Sequence, residues 1–242
     1  MWDLFLRVLK HPADFLPGFT KHKIYFVKKQ QEAEGIYSFY FRFNKAIHWK
    51  AGQHGLFFPN TKIEGKQWRV FSIVSIPQEQ VIRITTSAPP EPSPFKQHLQ
   101  SLSPNDVMFV RGPVGEMHYT SNQKQVVAIA GGIGITPFRA LIKEKVHTGI
   151  KTFNFHLIHA NKDDNHLFKA ELAELTENDE TIELEYVNTP DEVNAAIEEQ
   201  VKKHGNTANY FLSGSPRMIE GITKQLHDLG VTNITNDPFK GY

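Results

Sequence analysis

The chain has 242 residues, of which 40% are hydrophobic and 22% are charged, a composition typical of a globular protein with a buried core. Its 27 Lys and Arg residues nearly balance 26 Asp and Glu residues, so the net charge of +1 gives no overall field that would attract nucleic acid. The lack of cysteine excludes disulfides, thiol nucleophiles and cysteine-ligated zinc or iron–sulfur centres on this chain. It is compatible with a cytoplasmic location, which we predict.

The first 20 residues differ from the rest of the chain. Trp2, Phe5, Leu6 and Leu9 recur at helical spacing, which predicts an amphipathic helical extension over residues 1–20. This helix either packs on its own protein or makes a peripheral contact with a membrane or a partner through residues 1–15. No stretch approaches the roughly 18 apolar residues that span a bilayer, and no signal-peptide core is present.

Residues 21–120 contain short alternating or β-branched runs that are separated by turn signals. These gaps leave little room for a long helix. The pattern predicts an antiparallel β-sandwich or β-barrel. The runs are HKIYFVKK, GIYSFYFRF, WRVFSIVS, VIRITTSA and DVMFVRGP.

Residues 121–242 alternate between apolar runs and amphipathic helical patterns. Such alternation predicts βαβ units and a parallel sheet. The domain boundary is predicted in the polar, turn-like stretch TSNQK at residues 120–124. The predicted strands are QVVAIA, FNFHLIHA, IELEYV and YFLSG, and the predicted helices contain FRALIKEKV, FKAELAELTEN, VNAAIEEQVKKH and MIEGITKQLHDLG.

The segment AGGIGITP at residues 130–137 joins the first of these strands to the first helix. Gly131, Gly132 and Gly134 allow a sharp turn and a close approach of the backbone to a ligand. The free N–H groups at the start of the following helix favour a phosphate, and Pro137 suits the first helical turn. A tight turn that needs glycine only for packing is the alternative. The spacing is not the G-x-G-x-x-G pattern of the Rossmann fold.

A second pattern lies in the β-rich half, where Arg69, Val70, Phe71 and Ser72 occupy a strand-like run. On a strand Arg69 and Phe71 share one face, which would present a cation for a phosphate beside an aromatic ring for stacking. Ser72 would offer a hydroxyl group from the opposite face. Taken alone, this pattern is common in proteins.

Together, R-x-F-S in a β-rich half and GGIGITP in an α/β half resemble the ferredoxin–NADP reductase superfamily. Further segments resemble its motifs in the same order, over residues 22–242. These are Ala51-Gly52-Gln53, Ser93-Pro94-Phe95-Lys96 with Leu99, Leu102 and Asp106, Gly112-Pro113-Val114-Gly115, Ser213-Gly214-Ser215-Pro216-Arg217-Met218 and the end of the chain, Asp237-Pro238-Phe239-Lys240-Gly241-Tyr242.

The resemblance implies a six-stranded antiparallel flavin barrel followed by a parallel-sheet nicotinamide domain, with FAD rather than FMN as the cofactor. Arg69 would neutralise a flavin phosphate, Phe71 would flank the isoalloxazine ring, and Ser72 would bond near flavin N5. Further flavin contacts would come from Val70 in the same strand and from Ser93, Phe95, Lys96, Gly112 and Gly115.

In the second half the resemblance implies that residues 131–136, Thr136 included, cradle the pyrophosphate of NADH or NADPH, with Pro137 behind them. Ser213, followed by Gly214, and Asp237 would border the nicotinamide, which would enter between the domains. Phe239 would cover the other flavin face, with Tyr242 as the fallback. Three positions depart from the family pattern. Ser213 replaces a cysteine, Ser215 is inserted where glycine and proline are usually adjacent, and Phe71 lacks the hydroxyl of the commoner tyrosine.

The implied activity is hydride transfer from NAD(P)H to FAD, then electron transfer to a separate ferredoxin-like or flavodoxin-like protein, an oxygenase component or a small molecule. Lys162, after the second parallel strand, either pairs with the 2′-phosphate of NADPH or is a surface lysine, and we favour NADPH. The alternatives are a free-flavin reductase and a non-enzymatic nucleotide-binding module. The sequence does not define the acceptor or the oligomeric state.

No metal site is predicted. His156 and His159 lie three residues apart on a predicted strand, so they face opposite sides and cannot share one ion. We interpret both as core or rim residues.

Overall fold

The computed structural model describes residue 18, residues 20–120 and residues 122–236. The chain divides into two compact units, the first ending at His118 and the second beginning at Tyr119. The predicted N-terminal helix and the Asp237–Tyr242 tail lie outside the described residues. No described helix is long and apolar enough to cross a membrane.

The first unit is built on one six-stranded sheet in which every pair of neighbouring strands is antiparallel. The strand order is β4-β3-β6-β1-β2-β5. The chain just after β4 bonds to β5 through the Val74 N–H and the Arg83 carbonyl oxygen, 2.8 Å apart, which links the two outer strands. The elements are β1 (Lys21–Ala33), β2 (Ile36–Phe43), β3 (His54–Pro59), β4 (Arg69–Ser72), β5 (Ile82–Ser87), α1 (Pro94–Ser101) and β6 (Val107–Val114).

Alternation along these strands places the apolar side chains on one face of the sheet. Ile24 and Phe26 of β1 and Phe39 and Phe41 of β2 are buried, as is Phe57 of β3. The predicted six-stranded antiparallel barrel is therefore confirmed. The short helix α1 was not predicted from the sequence, and Phe95 and Leu99 bury its inner side against the same core.

The second unit has a parallel sheet with the strand order β11-β10-β7-β8-β9. The strand order changes direction at β7, because its neighbours β8 and β10 are reached through crossovers in opposite directions. Ligands commonly bind at such a point. The predicted parallel sheet is confirmed, with one strand, β11, added. The elements are β7 (Gln125–Gly131), α2 (Thr136–Thr148), β8 (Asn154–Ala160), α3 (Lys169–Thr176), β9 (Ile182–Val187), α4 (Pro190–His204), β10 (Asn209–Ser213), α5 (Pro216–Asp228) and β11 (Ile234–Asn236).

Local chemistry explains where the helices of this unit begin. Pro137, Pro190 and Pro216 each occupy a first helical turn, where a missing N–H costs nothing. Thr189 caps α4 by accepting a bond from the Glu192 N–H, while the Glu192 carboxylate reaches back to the cap. The three helices that start in this way, α2, α4 and α5, follow strands β7, β9 and β10.

Candidate functional site

A cavity of about 800 Å³ opens in the second unit at the carboxyl-terminal edge of the parallel sheet. Its walls come from the loops that follow β7, β8, β9 and β10 and from the facing sides of α4 and α5. The volume is within the range of small-molecule and cofactor sites. The position is the crevice where open α/β sheets bind their ligands.

The glycine loop forms one wall of this cavity through Gly131 and Gly132. Gly132 has φ +52°, a left-handed backbone conformation that favours glycine. A β-carbon built there would have no atom within 4 Å, so this side of the loop is open. Residues Gly132–Ile135 form a 3-10 turn that leads into α2. The first N–H groups of such a turn have no partner within the helix and are available to an anion.

The other predicted residues of the loop do not line the cavity. Gly134, Thr136 and Pro137 are buried. A β-carbon on Gly134 would overlap the Ser213 carbonyl oxygen and lie 2.8 Å from the Gly214 nitrogen. We predicted that glycine at position 134 allows a close approach to a ligand. In the structure, glycine at this position instead allows the loop to pack against the end of β10.

Close packing also explains the glycines where the loop after β7 meets the next loop, SGSPRM. A β-carbon on Gly131 would overlap the Met218 sulfur, and one on Gly214 would lie 3.3 Å from the Gly131 nitrogen. Ser213 is buried at the end of β10 and does not reach the cavity, whereas the following Ser215 does. The Ser215 hydroxyl accepts a bond of 3.3 Å from the Met218 N–H, so the residue that departs from the family pattern caps α5.

Lys162 lines the cavity, as its predicted role requires. The structure adds Asn188 and Glu198, which the sequence analysis did not name, and Arg217, which it named only as part of the SGSPRM motif. Lys162 and Arg217 supply two cations to the wall, and Glu198 supplies an anion. A sequence signal for Asn188 was the capping pattern T-P-D-E directly after it, which marks the end of β9.

In the first unit the structure brings together Arg69, Phe71, Phe95 and Lys96. The Arg69 guanidinium carbon lies 5.7 Å from the centre of the Phe95 ring, and the Phe71 and Phe95 rings are 6.0 Å apart. Arg69 and Phe71 thus share one face of β4, as predicted. Phe71 also packs on Phe57 at 5.7 Å, so its ring is partly enclosed by the core.

Lys96 and Arg69 form a pair of neighbouring cations. Burial lowers the pKa of the Lys96 ammonium, and the positive charge of Arg69 lowers it further. Within the described residues neither side chain forms an ion pair with a carboxylate. Two cations held together without a countercharge fit an anionic ligand such as a phosphate.

The remaining predicted residues of this unit have clear places. Ser93 directly precedes α1, while Val70 is buried in β4 and Ser72 pairs with His54 of β3. Gly115 has φ +117°, and a β-carbon there would lie 2.7 Å from the His54 ring.

Gly112 has φ +103° and faces the backbone of Val114. Packing and backbone conformation thus account for Gly112 and Gly115, and cofactor contact by either residue stays a prediction.

The two strand histidines lie on opposite sides of β8. His156 bonds to Glu185 at 2.8 Å, whereas His159 is fully buried and bonds to the Gly132 carbonyl oxygen at 3.0 Å. Burial lowers the pKa of His159 to about 4, although the Gly132 bond opposes this shift. Among the described residues no group of three or more His, Cys, Asp or Glu side chains could hold a metal ion.

These observations define a two-domain protein with the ferredoxin–NADP reductase-like fold. The cytochrome b5 reductase domain of Ulva prolifera nitrate reductase superimposes with a TM-score of 0.76 at 18% identity, covering 90% of this chain and 97% of that one. Ferredoxin-NADP+ reductase from Plasmodium falciparum with 2′P-AMP gives a TM-score of 0.74 at 15% identity, covering 91% and 97%.

Residues 128–224 match the family of oxidoreductase NAD-binding domains. NADH-cytochrome b5 reductase 1 of Neosartorya fischeri is 35% identical over 155 residues, which cover 57% of this chain and 50% of that protein. The same enzyme of Aspergillus fumigatus is also 35% identical over 155 residues, with the same coverage. The chain spans about half the length of the curated relatives it matches.

Proposed function

We propose that the chain is an FAD-dependent oxidoreductase that oxidises NADH or NADPH and passes the electrons to a separate acceptor. The observation that carries this proposal is the cavity at the switch point of the parallel sheet, with Gly132 open toward it and two cations, Lys162 and Arg217, on its wall. A dinucleotide needs N–H groups for its pyrophosphate and cations for its other charges. The match of residues 128–224 to NAD-binding domains supports the same ligand.

The residues of the first unit fit a flavin. Arg69 and Lys96 are neighbouring cations without a carboxylate partner among the described residues, and they would hold the phosphates of FAD. Phe71, which is partly buried, lies beside them and would contact an aromatic ring, and the fully buried Phe95 packs behind it. The predicted bond from Ser72 near flavin N5 would complete this set.

Bound FAD would supply the hydride and electron chemistry that no side chain of this chain can perform. The protein would bind and orient the cofactors. Arg69 and Lys96 would neutralise phosphate charge, and the N–H groups after Gly132 would hold the pyrophosphate of the coenzyme. We further propose that Ser213 and Asp237 border the nicotinamide and that Phe239 covers the flavin.

The acceptor is proposed to be a redox protein. The similar proteins are named for cytochrome b5, and the structural neighbours include a ferredoxin reductase of carbazole 1,9a-dioxygenase. A haem protein of the cytochrome b5 type and a ferredoxin are therefore the first acceptors to test. A free-flavin reductase is the alternative, and it would release its flavin readily instead of retaining it.

Purification of the full chain with FAD, followed by anaerobic mixing with NADH or NADPH, tests the proposal. We expect a yellow protein whose flavin absorbance is bleached by at least one coenzyme and restored by cytochrome b5, ferredoxin, flavodoxin or a quinone. Rapid loss of flavin on gel filtration with retained turnover of added flavin would support the free-flavin reductase. A colourless protein that binds a nucleotide without oxidising it would refute the enzyme.

A further inference from the structure

Three polar rings, two of them buried and one partly buried, lie together beside the cavity of the second unit, and the proposed function does not use them. They are His159 of β8, His166 in the loop before α3, and Tyr186 of β9. The His166 ring centre lies 4.9 Å from the centres of both other rings. His159 is fully buried, and His166 is 5% exposed.

Each histidine ring makes a single hydrogen bond within the described residues, and each of these bonds goes to a residue that lines the cavity. The His159 Nε2 atom lies 3.0 Å from the Gly132 carbonyl oxygen, and the His166 Nε2 atom lies 2.9 Å from the Asn188 side-chain oxygen. The Nδ1 atoms of both rings and the Tyr186 hydroxyl have no hydrogen-bond partner in this part of the chain. Both ring hydrogen bonds of the cluster are thus made to residues of the cavity wall.

The bond from His159 decides which way the Gly132 peptide faces. A trans peptide is planar, so its C=O and its N–H point in opposite directions. Because the Gly132 carbonyl points to His159 beneath the loop, the N–H of Ile133 points away from that ring. This N–H belongs to the first residues of the 3-10 turn and has no partner within the turn. The bond from His159 therefore leaves the Ile133 N–H turned away from the ring and free to donate to an anion.

The bond from His166 decides the orientation of the Asn188 amide in the same way. When His166 donates to the Asn188 oxygen, the NH₂ group of Asn188 remains free to donate to a ligand. Asn188 follows β9, which is two strands from β7 in the sheet. Two strand spacings are roughly 10 Å, so Asn188 serves a different part of a dinucleotide from the Gly132 loop.

We propose that His159 and His166 are positioning residues for the nucleotide. His159 aims the peptide that binds the pyrophosphate, and His166 aims the Asn188 amide at the adenosine half. This inference rests on the proposed function, because it requires the cavity to bind a dinucleotide. Neither histidine touches the ligand, so their substitution changes affinity without removing a contacting group.

ADP-ribose and adenosine distinguish the two roles when their dissociation constants are measured by calorimetry on the full chain. His159→Phe keeps a planar ring and removes the donor. We expect it to weaken ADP-ribose about 3- to 10-fold, the range for one net hydrogen bond, and to leave adenosine within about 2-fold. His166→Phe should weaken both ligands by the same factor. His159→Gln, which retains an N–H at a similar distance, should recover most of the loss.

His156→Phe is the matched control, because it lies on the same strand, faces the opposite side and bonds to Glu185. It should bind both ligands like the parent. Equal binding of ADP-ribose by the parent, His159→Phe and His166→Phe, each with a normal melting curve, would overturn the proposal, as would an equal loss in His156→Phe. If His159→Phe does not fold, His159→Leu, which also lacks the donor, replaces it, and His166→Phe tests the second position independently. A parent protein that binds neither ligand would instead overturn the proposed function, and this inference with it.

Discussion

Gly134 lies so close to Ser213 that a β-carbon on Gly134 would overlap the Ser213 carbonyl oxygen. The contact joins the loop after β7 to the end of β10, and backbone atoms on both sides leave little room for adjustment. The glycine therefore serves the packing of the second unit, and its effect on nucleotide binding follows from that packing.

The first prediction concerns this contact. We expect Gly134→Ala to lower the free energy of unfolding by about 1–3 kcal/mol, the usual cost of overpacking, in a urea titration. Gly221→Ala in α5 is the control, because a β-carbon there meets no atom within 4 Å, and alanine should be neutral or stabilising in a helix. Equal stability of Gly134→Ala and the parent would contradict the packing role.

The second prediction concerns the flavin. Arg69→Ala should weaken FAD binding by roughly 1.5–3 kcal/mol, because a charged hydrogen bond to phosphate is lost. Arg111→Ala is the control, since Arg111 also lies over an aromatic ring, Phe58 at 5.4 Å, on a strand of the same unit. Flavin fluorescence titration of the apoproteins gives both affinities. Parental FAD affinity in Arg69→Ala would rule out the phosphate role.

The third prediction concerns the choice of coenzyme. If Lys162 pairs with the 2′-phosphate, Lys162→Ala should raise the KM for NADPH about 10-fold and leave the KM for NADH nearly unchanged, since only NADPH carries that charge. Lys202→Ala, on α4 and outside the cavity wall, should change neither value. A similar rise in the KM for both coenzymes would mean that Lys162 contacts another part of the ligand. An unchanged KM for both would mean that Lys162 does not contact the coenzyme.

The fourth prediction concerns the tail, Asp237–Tyr242, which lies outside the described residues. The segment carries two aromatic residues and an acid, and the family resemblance assigns them to the nicotinamide and the flavin. Deletion of residues 237–242 should slow flavin reduction in a stopped-flow experiment and change coenzyme affinity, with FAD still bound. A truncated protein that is reduced at the parental rate would show that the tail has no part in the reaction.

The fifth prediction concerns pH. Burial lowers the pKa of His159 to about 4, below the value of about 6.5 for an unfolded histidine. The unfolded chain therefore gains a proton here as the pH falls from about 6.5 to about 4, while the folded protein does not. The resulting stability is complete above about pH 6.5 and is lost through this window.

Urea unfolding of the parent and of His159→Phe across this pH range measures that contribution. The slope of unfolding free energy against pH should be shallower in His159→Phe by up to about 1.4 kcal/mol per pH unit. Both proteins contain the same neighbouring titratable groups, namely His166, Lys169 and Asp164. Identical slopes in the two proteins would contradict the lowered pKa of His159.

Local sequence patterns predicted most of the fold. Alternating residues in β1 and β2 place apolar side chains on one face of an antiparallel sheet, and the βαβ alternation after residue 124 predicts the parallel sheet. The short helix α1 was missed because eight residues that begin after a proline-rich loop carry little helical periodicity.

The sequence by itself determined the class of fold, the position of the glycine loop between a strand and a helix, and the strand that presents Arg69 and Phe71 on one face. These features depend on residues close together in the chain, where periodicity and turn chemistry act directly. Tertiary structure alone decided that Lys96 stands beside Arg69, that Gly134 packs on Ser213, and that His159 bonds to Gly132. Such contacts join segments far apart in sequence, and they depend on strand order and register, which no local pattern specifies.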